Sequence, residues 1–280
     1  MIITLQMRIV LPVLAFLLFA VSAEARDIPF DFVDGYILVH ASVDAHPITL
    51  VLDSGASASV LSLEAARRLH IALGEAQPVD GVEAEGTAFE MKPVRPKVEG
   101  LVLGEFALAV DLRNAEQLCS EPVDGLIGAD FFTGRVTQID YAHRRLRLLQ
   151  EAPTEGESLP LLAKNGVYSL PVSVNGSKPR WTRLDTGCND SLHWVVPRMA
   201  TAPHRRGVSI GFITNTADET LVSVGLGRLT LPHVATTLHG SALFPGEAGL
   251  LGSEVLAQYQ VTIDASDPKA GRILLAPAER

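Results

Sequence analysis

A mainly β fold built from two similar halves is what this sequence predicts, and three observations predict it. Apolar residues alternate or run together over short stretches bounded by turn formers, which is the pattern of strands. Glycine (23) and proline (17) are frequent while aromatic residues make up only 6%, a mixture that favours short strands and turns over long helices. A strand–turn–strand unit ending in Asp-Ser/Thr-Gly occurs twice, and the same succession of shorter motifs follows each copy.

The chain opens with Arg8, an apolar stretch from Ile9 to Val21 interrupted only by Pro12, and the small residues Ala23-Glu24-Ala25. This order predicts a secretory signal peptide over residues 1–25, with Val21-Ser22-Ala23 as an alternative cleavage site. The stretch is short for a spanning helix, which disfavours an uncleaved anchor. The mature protein is expected to be soluble and exported, periplasmic or secreted, without stable membrane association.

Within the mature chain, the first unit reads Ile37 to Val43, a polar turn, then Thr49-Leu50-Val51-Leu52-Asp53-Ser54-Gly55. The second reads Tyr168 to Val174, Asn175-Gly176-Ser177, then Arg180 to Gly187 through Asp185-Thr186. Further on, Leu103-Gly104 answers Leu226-Gly227, Gly125-Leu126-Ile127-Gly128 answers Gly249-Leu250-Leu251-Gly252, and Ile139-Asp140 answers Ile263-Asp264. Internal repetition of this kind marks duplicated structural units. The expected organisation is a first lobe over 26–150, a linker over 151–158 marked by Pro153 and Gly156, and a second lobe over 159–280. One helix is predicted after the first acid motif, with Ser62 as cap, Glu64 in the first turn and Leu63, Ala66 and Leu69 as its apolar stripe.

Composition excludes several functions. The formal charge is −9 and the sequence pI is near 5.4, so phosphate backbones and anionic lipid are repelled and nucleic acid is not expected as a partner. The eight histidines are scattered without H-E-x-x-H or paired-cysteine spacing, so no metal and no cofactor are expected. His193, beside Trp194, reads as a packed side chain near the cleft wall. The only cysteines are Cys119 and Cys188; export favours a bridge between them over two buried thiols, worth about 4 kcal/mol in the chain-entropy model.

Asp-Ser/Thr-Gly is a weak signal alone. Its weight comes from the apolar strand before each copy, the small residue after it and the repeated Gly-Leu-Ile/Leu-Gly run. An aspartate closing an apolar strand is costly unless it is paired or hydrogen-bonded, and such placement is typical of functional carboxylates.

At these residues the chain resembles the aspartic peptidase superfamily, and more closely its bacterial retropepsin-like branch. Asp53-Ser54-Gly55-Ala56 and Asp185-Thr186-Gly187-Cys188 are similar to the two active-site loops of that family. The resemblance implies two closed-barrel-like β lobes of the acid protease fold with a cleft between them, fused as in pepsin-like enzymes but built from retropepsin-sized units. It implies catalytic Asp53 and Asp185, with Ser54, Gly55, Thr186 and Gly187 supporting the loops. Peptide bonds of a peptide or protein substrate would be hydrolysed by a water activated between the two carboxyls, and the chain would act as a monomer. The segment from Asp80 to Gly86 resembles a glycine-bounded flap with Gly81, Val82 and Gly86 at its tip; an ordinary hairpin turn is the other reading. Cys188 stands where Ala or Ser is usual, no flap tyrosine is found, and no pepsin-style propeptide precedes the first strand.

Two other readings compete. Gly207-Val208-Ser209-Ile210-Gly211 matches the G-x-S-x-G elbow of serine hydrolases, which needs a strand before the serine and a helix after it; the strand-like Phe212-Ile213 speaks against it. A non-catalytic peptide-binding protein on the same scaffold is the stronger rival, since fold does not dictate function.

Overall fold

The computed structural model describes residues 26–80, 85–113, 119–196, 208–209, 212–213 and 218–278. The predicted signal peptide, and Gly81 and Val82 of the predicted flap, lie outside the described residues. The fold is mainly β, as predicted, with three large sheets.

Each Asp motif closes a hairpin. Tyr36–Val43 pairs antiparallel with His46–Leu52, and Val167–Val174 pairs with Arg180–Leu184. The first turn puts Asp44 and Ala45 at φ 47° and 68°, and the second puts Asn175 and Gly176 at φ 49° and 71°. Two consecutive left-handed residues match the right-handed twist of the flanking strands. Asn-Gly meets this demand with little strain, whereas Ala45 does not.

The Gly-Leu-Ile/Leu runs are short buried strands, and they fix where the aspartates sit. Gly125–Ile127 lies between His46–Leu52, to which it is parallel, and Val60–Ser62, to which it is antiparallel. Gly249–Leu251 lies in the same way between Arg180–Leu184 and Leu192–Val195. Asp53 N–H donates to Ile127 O at 2.8 Å and Asp185 N–H donates to Leu251 O at 3.0 Å. Each acid motif is thus anchored by backbone to the strand beneath it.

In the second half, Leu192–Val195 continues to Leu229–His239 and Asp218–Leu226, and the latter returns to Val167–Val174 through Ser173↔Gly225 and Val174↔Val224. Six strands close into a barrel, which leaves no exposed edge on that ring. The first half follows the same order, but its return strand is broken. Glu85–Val94 ends before Pro96, and the short strand Lys97–Val98 completes the contact with Tyr36–Val43 at Ser42↔Lys97. Proline has no N–H for the ladder, so the break falls there.

This break corrects the expected alignment of the halves. The hairpin turn between Val98 and Leu101 is made by Glu99-Gly100 and corresponds to the Gly227-Arg228 turn between Leu226 and Leu229. Gly104 instead falls in an interruption before the strand Phe106–Val110. The expected linker also ends earlier than composition suggests: Glu157–Pro160 is a strand paired with Arg272–Pro277, because a ladder overrides a polar composition.

A six-stranded sheet joins the halves, in the order Arg26–Pro29, Arg145–Leu149, Val136–Asp140, Tyr259–Asp264, Arg272–Pro277, Glu157–Pro160. At its centre Gln138 lies opposite Thr262, its counterpart in the repeat, and the two side chains are hydrogen-bonded at 3.2 Å. Equivalent residues facing each other place a pseudo-twofold axis here. Phe30 and Phe32 meet the ring of Tyr141 edge-on, within one continuous apolar core that spans both halves.

The predicted helix is short, Leu63–Arg68, and Ser62 Oγ accepts from Ala65 N–H at 3.0 Å. It buries Ala65 and Ala66, with Leu63 and Leu69 packed at the core margin. Ser209 lies in a strand paired with Phe212–Ile213, so a strand follows it and the nucleophile-elbow geometry is absent. Gly207 and Gly211 are outside the described residues. Among the described residues no helix is long and apolar enough to cross a membrane.

Candidate active site

The two acid motifs meet on the pseudo-twofold axis. Ser54 Oγ donates to Leu184 O at 2.8 Å and accepts from Thr186 N–H at 3.0 Å. Thr186 Oγ1 donates to Leu52 O at 2.8 Å and accepts from Ser54 N–H at 2.9 Å. Each hydroxyl uses its donor and one acceptor site on the backbone of the other motif, and both residues are fully buried. Four hydrogen bonds therefore tie two loops that are distant in sequence. Thr186→Val keeps the shape, removes the donor and acceptor, and orphans Ser54 N–H. It is expected to cost about 1–3 kcal/mol in chemical denaturation, while Thr186→Ser loses much less.

Behind this brace, Asp53 and Asp185 turn their carboxyls toward each other and share a hydrogen bond. Asp53 Oδ1 accepts from Gly55 N–H at 2.9 Å and Ala56 N–H at 3.0 Å. Asp185 Oδ1 accepts from Gly187 N–H at 3.0 Å. These amides hold each carboxyl in place without neutralising it. Burial pushes Asp185 up to about 8, the charge of Asp53 adding to it; burial also raises Asp53, against the pull of its two amide donors. Two carboxyls this close cannot both be ionised at low cost, so the pair holds one proton and titrates as a unit.

The glycines are there for space. A Cβ on Gly187 would stand 2.3 Å from Asp53 Cγ, and one on Gly55 would stand 2.5 Å from Asp185 Oδ1. Gly187→Ala is expected to displace the Asp53 carboxyl and to lower any catalysis that needs both carboxyls by about 10²-fold, while the variant stays folded; steady-state kinetics beside circular dichroism checks this.

The pair forms the floor of a cleft of about 770 Å³, within the range that holds a ligand. One wall is apolar and comes from the first half, through Val60, Leu63, Phe89, Leu108, Val110 and Leu126; Asn165, Val167, Phe244 and Pro245 come from the second. The strands Leu73–Asp80 and Glu85–Val94 form a hairpin, and Val79, Gly86 and Thr87 from its far end line the cleft. The predicted flap residue Gly86 is therefore at the cleft, on an overhanging hairpin.

Arg183 was not anticipated. Its guanidinium makes a two-pronged bond to Glu247 (2.7 and 2.8 Å), donates to Gly55 O at 3.0 Å and lies 3.4 Å over the ring of Phe244. Its charge draws both Asp53 and Asp185 downward. The available signal was an arginine two residues before Asp185, at the position where the first motif has Val51.

Cys119 and Cys188 are separate buried thiols, not a disulfide, which corrects the expected bridge. Cys119 packs in a small cluster with Tyr36, Leu38, Leu112 and Val123, whereas Cys188 belongs to the second acid loop, its N–H bonded to Asp185 O. Burial raises both thiols above their usual range, which suits packed, protonated side chains.

Two braced carboxyls and the far end of a hairpin line the same cleft. Residues 39–134 match the family model of the gag-polyprotein putative aspartyl protease, and this match supports the aspartic peptidase superfamily. It runs from the strand Tyr36–Val43 past Asp53 and the Gly125–Ile127 strand; Asp185 lies outside it. No curated protein matches the chain.

Proposed function

We propose that the protein is an exported, single-chain aspartic endopeptidase with Asp53 and Asp185 as its catalytic pair. The hydrogen-bonded carboxyls at the cleft floor, which together hold one proton, carry this reading. The ionised carboxylate takes a proton from a water bound between the two, and the protonated carboxyl donates to the scissile carbonyl oxygen. Water oxygen attacks the carbonyl carbon, giving a neutral tetrahedral diol. Its collapse breaks the C–N bond as one proton passes to the leaving amine and one returns to the pair, so no acyl-enzyme forms. Ser54 and Thr186 hold the loops, Gly55 and Gly187 leave room for the approach, and the hairpin ending near Gly86 closes over an extended peptide. Because one chain supplies both carboxyls, a monomer suffices. The leader-like residues 1–25 support export to the periplasm or beyond.

The test is cleavage of an unfolded protein across acidic to mildly alkaline pH, read by mass spectrometry, with a pepstatin-type inhibitor as control. The proposal expects inhibitor-sensitive cleavage that Asp53→Asn abolishes. Cleavage that survives in Asp53→Asn overturns it. Parent and variant that bind peptide equally and cut nothing would make the protein a peptide-binding module.

A further inference from the structure

Three side chains that the proposed reaction does not use converge beside the second acid loop. Cys188 Sγ, an Asp190 carboxylate oxygen and a ring nitrogen of His193 all lie within 4.8 Å of one another. Cys188 and His193 are buried, and Asp190 is half-exposed at the mouth of the group. The separation of His193 Nε2 from Asp190 Oδ2 is 2.9 Å. In a tetrahedral zinc site, bonds of about 2.0–2.3 Å separate ligand atoms by about 3–4 Å, so a small opening of these rotamers would admit a cation.

The surroundings fit this use. His193 Nδ1 lies 2.9 Å from His239 Nε2, and the two rings are stacked. Without a cation His193 Nε2–H donates to the Asp190 carboxylate; with the proton moved to Nδ1 and donated to His239, Nε2 would present its lone pair to a bound cation. A hydrogen-bond partner on the other ring nitrogen fixes the tautomer of metal-ligating histidines. Tyr36 is fully buried, its hydroxyl has no hydrogen-bond partner among the described residues, and the charges of Cys188 and Asp190 both act on it. An unpartnered buried oxygen thus lies within electrostatic reach of the group.

We propose that Cys188, Asp190 and His193 form a binding site for a thiophilic divalent cation of the zinc class, with solvent at the Asp190 side supplying a fourth ligand. One thiolate, one imidazole and one carboxylate are the donor set such an ion takes, and oxygen-seeking magnesium or calcium does not favour it. The cation clips residues 188–193 into one unit directly after Asp185-Thr186-Gly187. Cys188 O already accepts from Ser253 N–H at 2.8 Å, so the clip ties the second acid loop to the segment beneath it. The ion is structural or regulatory, outside the water-activating pair.

The experiment uses the full mature chain, stripped of metal and titrated with Co²⁺ as a spectroscopic stand-in for Zn²⁺. One cobalt per chain is expected, with thiolate-to-metal charge-transfer absorption and tetrahedral visible bands, both displaced by Zn²⁺. Cys188→Ser removes the charge-transfer band. His239→Gln, which changes only the outer partner, weakens binding by about 10- to 100-fold. Asp190→Asn, at the exposed edge where folding is least at risk, weakens it as well. Asp53→Asn binds cobalt like the parent, so the site stands or falls apart from the peptidase reading. A folded parent that takes up no stoichiometric cobalt overturns the proposal, and so does uptake whose charge-transfer band survives in Cys188→Ser.

Discussion

Asp185→Asn is expected to lower kcat/KM by roughly 10³-fold or more while making the folded chain more resistant to unfolding above about pH 8. Asparagine keeps the shape and can still accept from Gly187 N–H, but it cannot take or return a proton. The stability effect follows from the raised titration of Asp185, pushed up to about 8 by burial and then by the Asp53 charge. In the unfolded chain the same carboxyl titrates near its ordinary value of 3.8. Between those values the folded state holds a proton that the unfolded state has released, so stability from this group is complete below the lower value and lost as pH rises through the upper one. Asparagine has no such dependence. The difference in Tm, variant minus parent, should therefore grow from about pH 5 to about pH 9. A difference that stays flat with pH would contradict the raised carboxyl.

Arg183→Met is expected to cost about 3–5 kcal/mol, because Glu247 is left as a buried, unpaired charge. The side chains of both partners are only 9% exposed, so water cannot replace the lost guanidinium. The double variant Arg183→Met with Glu247→Leu should recover most of that loss, since removing both charges also removes their desolvation. Its pH profile should not recover. Arg183 holds both active-site carboxyls down, so without it both limbs of the kcat/KM profile move to higher pH. Urea unfolding of the two variants, set beside their pH–rate profiles, separates the structural from the electrostatic role. A single variant that loses less than about 1 kcal/mol would show that the pair is not buried as described.

Much of this site was legible because it is repeated. Asp53 and Asp185 could be paired on paper from their apolar strands, their hydroxyl neighbours and the glycine strands that follow, all of which have one counterpart each. The brace made by Ser54 and Thr186 follows from the same symmetry: two copies of one loop facing each other must contact like to like. The helix at Ser62 was legible from a local signal, a capping hydroxyl before an apolar stripe.

What departs from the repeat was hidden. Arg183 answers Val51, and its partners Glu247 and Phe244 are far along the chain, so only tertiary structure joins them. The Gly104 alignment failed because Pro96 breaks one return strand and leaves its counterpart whole, which shifts the hairpin turn to Glu99-Gly100. The expected bridge failed because redox compartment and cysteine count do not decide whether two thiols join: both lie near Tyr36, yet each is a free, buried thiol. His193 looked isolated in sequence, yet Asp190, Cys188 and a stacked His239 from the Leu229–His239 strand surround it.

The most direct measurement is kcat/KM on one peptide for the parent, Asp53→Asn, Asp185→Asn and the variant carrying both changes, each verified as folded. On the proposed mechanism the two carboxyls share one proton and one water and would work only together, so each single change should cost as much as the double. Losses that add, or a single variant that cuts at the parental rate, would mean that the two aspartates do not act as one acid–base unit.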